Sequence, residues 1–112
     1  MAQLRLFWVE CKNQQENNGD EVYFFIRDME GLGIGLTNVI EDMEAGERFN
    51  NMTDRVSFTG GVVVELYEND PFEDDYIATD FALFTPADAG ENQTMTFKGN
   101  GAEYLLRYDV IA

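Results

Sequence analysis

The chain has no histidine, one cysteine (Cys11), one serine (Ser57) and only 7 basic residues among 112. Nucleophilic triads need a base beside a hydroxyl or thiol, and without imidazole neither Ser57 nor Cys11 has an evident one, so that class of catalysis is excluded. A single cysteine excludes an intramolecular disulfide and leaves Cys11 as a buried small side chain or a free thiol. Phosphate backbones are held by neutralising them with Lys and Arg. The balance of 22 acidic to 7 basic residues, a formal charge of −15, therefore argues for no nucleic acid partner. Direct attraction to an anionic membrane is disfavoured on the same grounds. The N-terminus goes from Met1 straight into alternating sequence, without an apolar run for a secretory signal or a membrane span, so the expectation is a cytoplasmic protein. The glycines Gly31, Gly33 and Gly35 fall on a predicted strand with no following helix or lysine, which is not the setting of a phosphate loop.

What is present is enough apolar material to fold: 45% hydrophobic residues, 15 of them aromatic. A length of 112 residues suits one domain. Short alternating runs recur about every dozen residues. They are Gln3 to Cys11, Glu21 to Arg27, Leu32 to Leu36, Arg55 to Thr59, Val62 to Tyr67, Tyr76 to Phe84, Gln93 to Lys98 and Ala102 to Ile111. Asn17-Asn18-Gly19-Asp20, Gly60-Gly61 and Gly99-Asn100-Gly101 supply the turn chemistry between them. Between Asn38 and Asp54 the alternation lapses, and a short helical turn is expected around Val39 to Ala45. In the first run Leu4, Leu6 and Trp8 share one alternation and Phe7 and Val9 the other, which suits a strand covered on both faces. In Leu32 to Leu36 the leucines and Ile34 are expected inward, with glycine at each outward position and something lying close against that bare backbone. The whole reads as all-β, an eight-stranded antiparallel β-sandwich, with an up-and-down barrel as the competing architecture.

The most charged stretch is Glu68-Asn69-Asp70-Pro71-Phe72-Glu73-Asp74-Asp75, with five carboxylates in eight residues. It is either an acidic solvated hairpin loop or a hard-cation site, because calcium takes six to eight oxygen ligands from carboxylates and carbonyls on flexible loops. Antiparallel strands send successive loops to alternate ends. That places Lys12 to Asp20, Asn38 to Asp54, Glu68 to Asp75 and the Gly99 hairpin together. This end then holds Glu16, Asp20, Glu21, Glu41, Asp42, Glu44, Glu47, Glu68, Asp70, Glu73, Asp74 and Asp75, more than half of the 22 acids. Such a pole repels itself without counter-ions.

The segment from Val64-Glu65-Leu66-Tyr67-Glu68-Asn69-Asp70 to Asp75-Tyr76-Ile77 resembles the third calcium loop of C2 domains, where a strand ends in D-x-D and a further Asp precedes the next strand. Gly19-Asp20-Glu21-Val22-Tyr23-Phe24 is similar to the S-D-P-Y-V that closes the first. The resemblance implies a C2-like sandwich with Ca2+ as cofactor, bound by Asp20, Glu68, Asp70, Asp74 and Asp75. The chain departs from the pattern in having Glu68 for the first Asp of the pair, a loop about one residue shorter, and Glu16 or Asn17 where an earlier first-loop Asp would stand.

Phe72 sits at the tip of the acidic loop, where Pro71 would hold it outward for contact with a membrane, protein or glycan partner, or where it folds back over Tyr67 or Tyr76. The expected function is a non-catalytic calcium-binding module with a protein, lipid or glycan partner. The alternative is a structural subunit that self-assembles into a homo-oligomer or particle, without a required metal, through the glycine-rich strand.

Overall fold

A computed structural model of the chain describes residues 2–16, 19–69, 74–83 and 90–111, with side chains left undescribed at 81–83 and 90–92. Two antiparallel five-stranded sheets face each other. In the first, β5 (Arg48–Phe49), β1 (Ala2–Asn13), β10 (Ala102–Ile111) and β9 (Gly90–Gly99) are neighbours in that order, and β6 (Arg55–Phe58) also pairs with β1. In the second the order is β3 (Gly33–Leu36), β2 (Asp20–Asp28), β7 (Gly61–Glu68) and β8 (Asp75–Leu83), and β4 (Ile40–Met43) also pairs with β2.

The expected sandwich is present, with ten strands in place of eight. The two additions come from the stretch where alternation lapses. Around Val39 to Ala45 there is no helical turn: Ile40 pairs with Val22 and Met43 with Asp20, so these residues extend the β2 edge as β4. β3 and β4 are thus two pieces of one edge, separated at Thr37. Its buried hydroxyl accepts from the Phe24 amide at 2.8 Å while its own amide donates to the Phe24 carbonyl at 3.0 Å. Likewise β5 and β6 lie along one edge of β1, interrupted where β1 has a bulge between Leu6 and Trp8.

That bulge also explains the mixed alternation of the first run. Leu4 and Leu6 point inward before it and Val9 and Cys11 after it, so Phe7 and Trp8 are half-buried between them. Neither aromatic enters the core, and the outer face of the strand is covered only in part, not fully as expected. The guanidinium of Arg48 lies 3.8 Å from the Trp8 ring centroid and that of Arg107 lies 4.3 Å from that of Phe7.

The core is built from the inward positions of the long strands. β1 contributes Leu4, Leu6, Val9 and Cys11, β2 contributes Val22, Phe24 and Ile26, β7 contributes Val62, Val64 and Leu66, β10 contributes Tyr104 and Leu106, and Met95 and Phe97 come from β9. Phe24 and Phe97 meet across the layers with centroids 5.3 Å apart and planes tilted by 60°. The β9–β10 hairpin closes through Asn100 and Gly101, both at positive φ (51° and 82°), the two-residue turn that its sequence signalled.

On β3 the expectation holds for Ile34, which packs against the core, and fails for the leucines. Leu32 and Leu36 are 67% and 63% exposed, and the glycines face close neighbours. A Cβ on Gly35 would stand 2.8 Å from Val56 Cγ2, and one on Gly33 2.6 Å from Phe25 Cζ. The close approach to bare backbone is therefore made by this chain's own side chains. Replacing Phe24 by Ala opens a cavity between the sheets and should cost about 3–5 kcal/mol, read as a drop in the midpoint of urea unfolding at an unchanged slope.

Candidate functional site

The inward stripes of β2 and β7 both end in an acid. Asp20 continues Val22, Phe24 and Ile26, and Glu68 continues Val62, Val64 and Leu66, so the two carboxylates lie at the rim of the core. Because Val22 is the cross-strand partner of Glu68, the acids are close neighbours.

The loops around them gather at the same end. Ala45 N donates to Gln14 Oε1 at 2.7 Å, Gly46 N to the Cys11 carbonyl at 2.8 Å, Asn69 N to the Glu21 carbonyl at 2.6 Å, and Asn100 Nδ2 to the Tyr76 carbonyl at 2.8 Å. Segments far apart in sequence thus converge, as alternation of antiparallel connections requires.

Asp20 is wholly buried and saturated with donors. Its carboxylate accepts from the amides of Gln15 and Glu16 at 2.7 and 2.9 Å, and from the Tyr104 hydroxyl at 2.6 Å. The amide bonds hold the first loop against β2, and Tyr104, from the opposite sheet, ties the two layers together. Burial and the Asp20 charge push the Tyr104 phenol far above its ordinary value, so it stays a donor. The Cys11 thiol beside it is pushed up by burial.

Glu68 is in a different state. It is 3% exposed, and its Oε2 has no hydrogen-bond partner among the described residues. Burial first, then the neighbouring Glu16 carboxylate and the charges of Asp20 and Glu21, push its carboxyl up to about 8. Gln15 Oε1 is a second buried acceptor without a partner among the described residues. At Glu68 Oε2, with the Glu16 carboxylate close by, a positive charge or a proton is what is lacking.

Asp74 and Asp75 lead into β8, Asp75 as the cross-strand partner of Glu68. Asp74 Oδ2 accepts from the Tyr23 hydroxyl at 2.5 Å, and Tyr23 stacks on Tyr67 with centroids 5.4 Å apart. Tyr67 in turn meets the edge of Tyr76 at 5.7 Å, which forms an aromatic ladder on the outer face of the second sheet. Asp75 is exposed at the start of β8, opposite Glu68 in the ladder. Asp70 and Phe72 lie outside the described residues. Of the five acids considered as ligands, Asp20 and Glu68 are brought together, whereas Asp74 is engaged by Tyr23. Among the described residues no three Cys, Asp or Glu side chains are arranged to hold a metal ion.

Sequence reasoning missed Tyr104, Gln15 and the Tyr23–Asp74 pair. A signal was available for part of this, since period-two counting places Asp20 and Glu68 on the core face of their strands. It marks them as buried acids needing partners, not solvated loop residues.

No protein-family model matches the chain, and no curated protein matches it in sequence. Solved structures do. A C2 domain structure superposes over 100% of both chains with a TM-score of 0.69 at 14% identity. CC2D1B, described as coordinating ESCRT-III activity during mitotic reformation of the nuclear envelope, matches 99% of this chain and 54% of its own, with a TM-score of 0.58 at 18% identity. The human GIVD cytosolic phospholipase A2, in complex with an inhibitor and terbium chloride, matches 97% of this chain and 17% of its own, with a TM-score of 0.55 at 13% identity. The chain has a divergent C2-like fold.

The raised Glu68 carboxyl sets a pH dependence. Between the ordinary value of 4.5 and about 8 the folded chain keeps a proton that the unfolded chain releases, so stability falls as pH rises through this window. Glu68→Gln should leave melting near wild type at about pH 5 and raise it above about pH 8, as seen in thermal melts in metal-free buffer.

Proposed function

We propose that the chain is a non-catalytic C2-like binding module whose acidic end takes up calcium, and that the ion orders the loops that present Phe72 to a membrane, protein or glycan partner. The observation that carries this reading is the buried Oε2 of Glu68, which has no hydrogen-bond partner among the described residues and has the Glu16 carboxylate as a neighbour, where the acidic loops meet. A divalent cation relieves like-charge repulsion and supplies what that oxygen lacks.

The donor set fits in part. Glu68 would be the central ligand, with Glu16 and Gln15 on one side. Asp70 and Asp75 would come from the loop that follows. Asp20, with three donors on its carboxylate, would position the first loop for the ion, and Asp74 would join only by leaving Tyr23. What calcium supplies is charge and coordination. The chain supplies oxygen ligands and, in Tyr104, a fixed anchor for the loop.

Calorimetric titration with calcium should give binding that Asp70→Asn and Glu68→Gln both weaken. Free calcium at about one hundred times its dissociation constant should stabilise the fold by about 2.7 kcal/mol, and EDTA should reverse the gain. Identical melting with calcium and with EDTA would end the proposal.

A second reading has its own observation. Leu32 and Leu36, on or beside the free-edged strand β3, are 67% and 63% exposed, with Met29 and Val39 nearby at 56% and 40%. Apolar side chains along an open strand edge suit pairing with another copy of the chain. Light scattering over a range of concentrations should then show a dimer or larger particle that Leu36→Lys returns to monomer, whereas a wild-type monomer at every concentration removes this alternative.

A further inference from the structure

The few basic residues are not scattered. Arg5 and Lys12 on β1, Arg48 on β5, Arg55 on β6, Lys98 on β9 and Arg107 on β10 all belong to the first sheet, and only Arg27 belongs to the second. Four of the six are accounted for. Lys12 and Arg48 both meet Glu10, the latter at 2.9 Å, Lys98 faces Glu103 at 3.9 Å, and Arg107 pairs with Asp109 at 3.2 Å.

Arg5 and Arg55 are the exceptions. Arg5 Nε donates only to a neutral atom, Gln3 Oε1, at 3.1 Å, and Arg55 has no hydrogen-bond or ion-pair partner among the described residues. In a chain with 22 acids for 7 bases, two arginines without a carboxylate among the described residues are a notable omission. They are also direct cross-strand partners, so both side chains leave the same face of the sheet. Residues so paired have Cβ atoms about 4.5–5.5 Å apart, and like charges there repel.

Between them lies a cavity of about 210 Å³, lined by Arg5, Arg55, Phe7, Met52, Thr53 and Asp54. Asp54 is its only acid. Burial pushes that carboxyl above its ordinary range, and it forms no ion pair with either arginine. The loop that supplies Met52 to Asp54 comes from the acidic end, but its acids Glu41, Asp42, Glu44 and Glu47 do not line the cavity. Arg5 and Cys11 stand six positions apart on β1, about 20 Å of strand, which is more than two Debye lengths at physiological salt.

We infer that the Arg5–Arg55 cavity is a binding site for a phosphomonoester dianion. Two arginines on neighbouring strands, both lining the cavity, match its two charges and its three terminal oxygens, where a lone carboxylate would leave one arginine unanswered. The volume is below the 300–1,000 Å³ or so typical of drug-sized ligands, so the site holds the phosphate and the atoms next to it. This site is independent of the calcium reading, lying on another sheet and using none of its residues.

The test uses the full chain at constant ionic strength, with inorganic phosphate and glycerol 3-phosphate titrated by phosphorus NMR. Wild type should bind both, Arg5→Gln and Arg55→Gln should each weaken binding at least about tenfold, and Lys98→Gln, which removes the same charge from the same sheet, should change it less than about twofold. Without phosphate, Arg55→Gln should melt no lower than wild type, because it relieves the repulsion, and phosphate should then raise only the wild-type melting temperature. Phosphatidylcholine vesicles with and without phosphatidic acid identify the source. Arginine-dependent sedimentation with phosphatidic acid assigns a lipid headgroup, and binding of glycerol 3-phosphate alone assigns a soluble ester. No binding of any probe, or equal losses in all three variants, overturns the site.

Discussion

The hydrogen bond from Tyr104 to Asp20 is the contact on which the acidic end depends. It joins residues 84 positions apart, crosses from one sheet to the other, and gives a wholly buried carboxyl group a donor in a place where water cannot supply one. A hydrogen bond to a charged group is shorter and stronger than one between neutral groups. With the two amides of the first loop, it turns Asp20 from an electrostatic liability into the fastening of that loop.

Glu68 shows what the same surroundings do without such donors. One residue stripe away, it has burial and three acidic neighbours, and its outer oxygen meets nothing among the described residues. Asp20 is satisfied by the fold itself, whereas Glu68 is left to be satisfied by a proton or a cation. The difference lies in the donors and not in the acids. A count of negative charges at one end could therefore not separate the two roles.

Much of the architecture was legible in the residues. Period-two runs such as Val62 to Tyr67 and Ala102 to Ile111, with glycine-bearing turns between them, located the central strands because side chains on a strand alternate strictly between faces. Convergence of the loops followed from antiparallel geometry alone. What escaped was local and depended on tertiary partners. β4 and β5 are too short to show a period and exist because β2 and β1 offer them an edge. The bulge at Leu6 to Trp8 shifts the register by one and sends Trp8 out of the core, an event that alternation cannot reveal. On β3 the size of the leucines suggested burial, yet Phe25 and Val56 leave room only for glycine. The unlike fates of Asp20 and Glu68 rest on Tyr104, which no spacing in the chain connects to them.

The position of β10 has a kinetic consequence. It sits between β1 and β9 in the first sheet, although it follows every other strand in the chain, so the earliest strand waits for the latest before its main neighbour exists. Pairings of such long sequence separation are slow to form, because most of the chain's freedom is given up before the contact returns any stability. Until then Leu4, Leu6 and Val9 lack their cover and Asp20 lacks its phenol. A nascent chain halted before Tyr104 would expose a greasy first strand together with a carboxyl group that lacks its donor from the opposite sheet, a state suited to capture by chaperones.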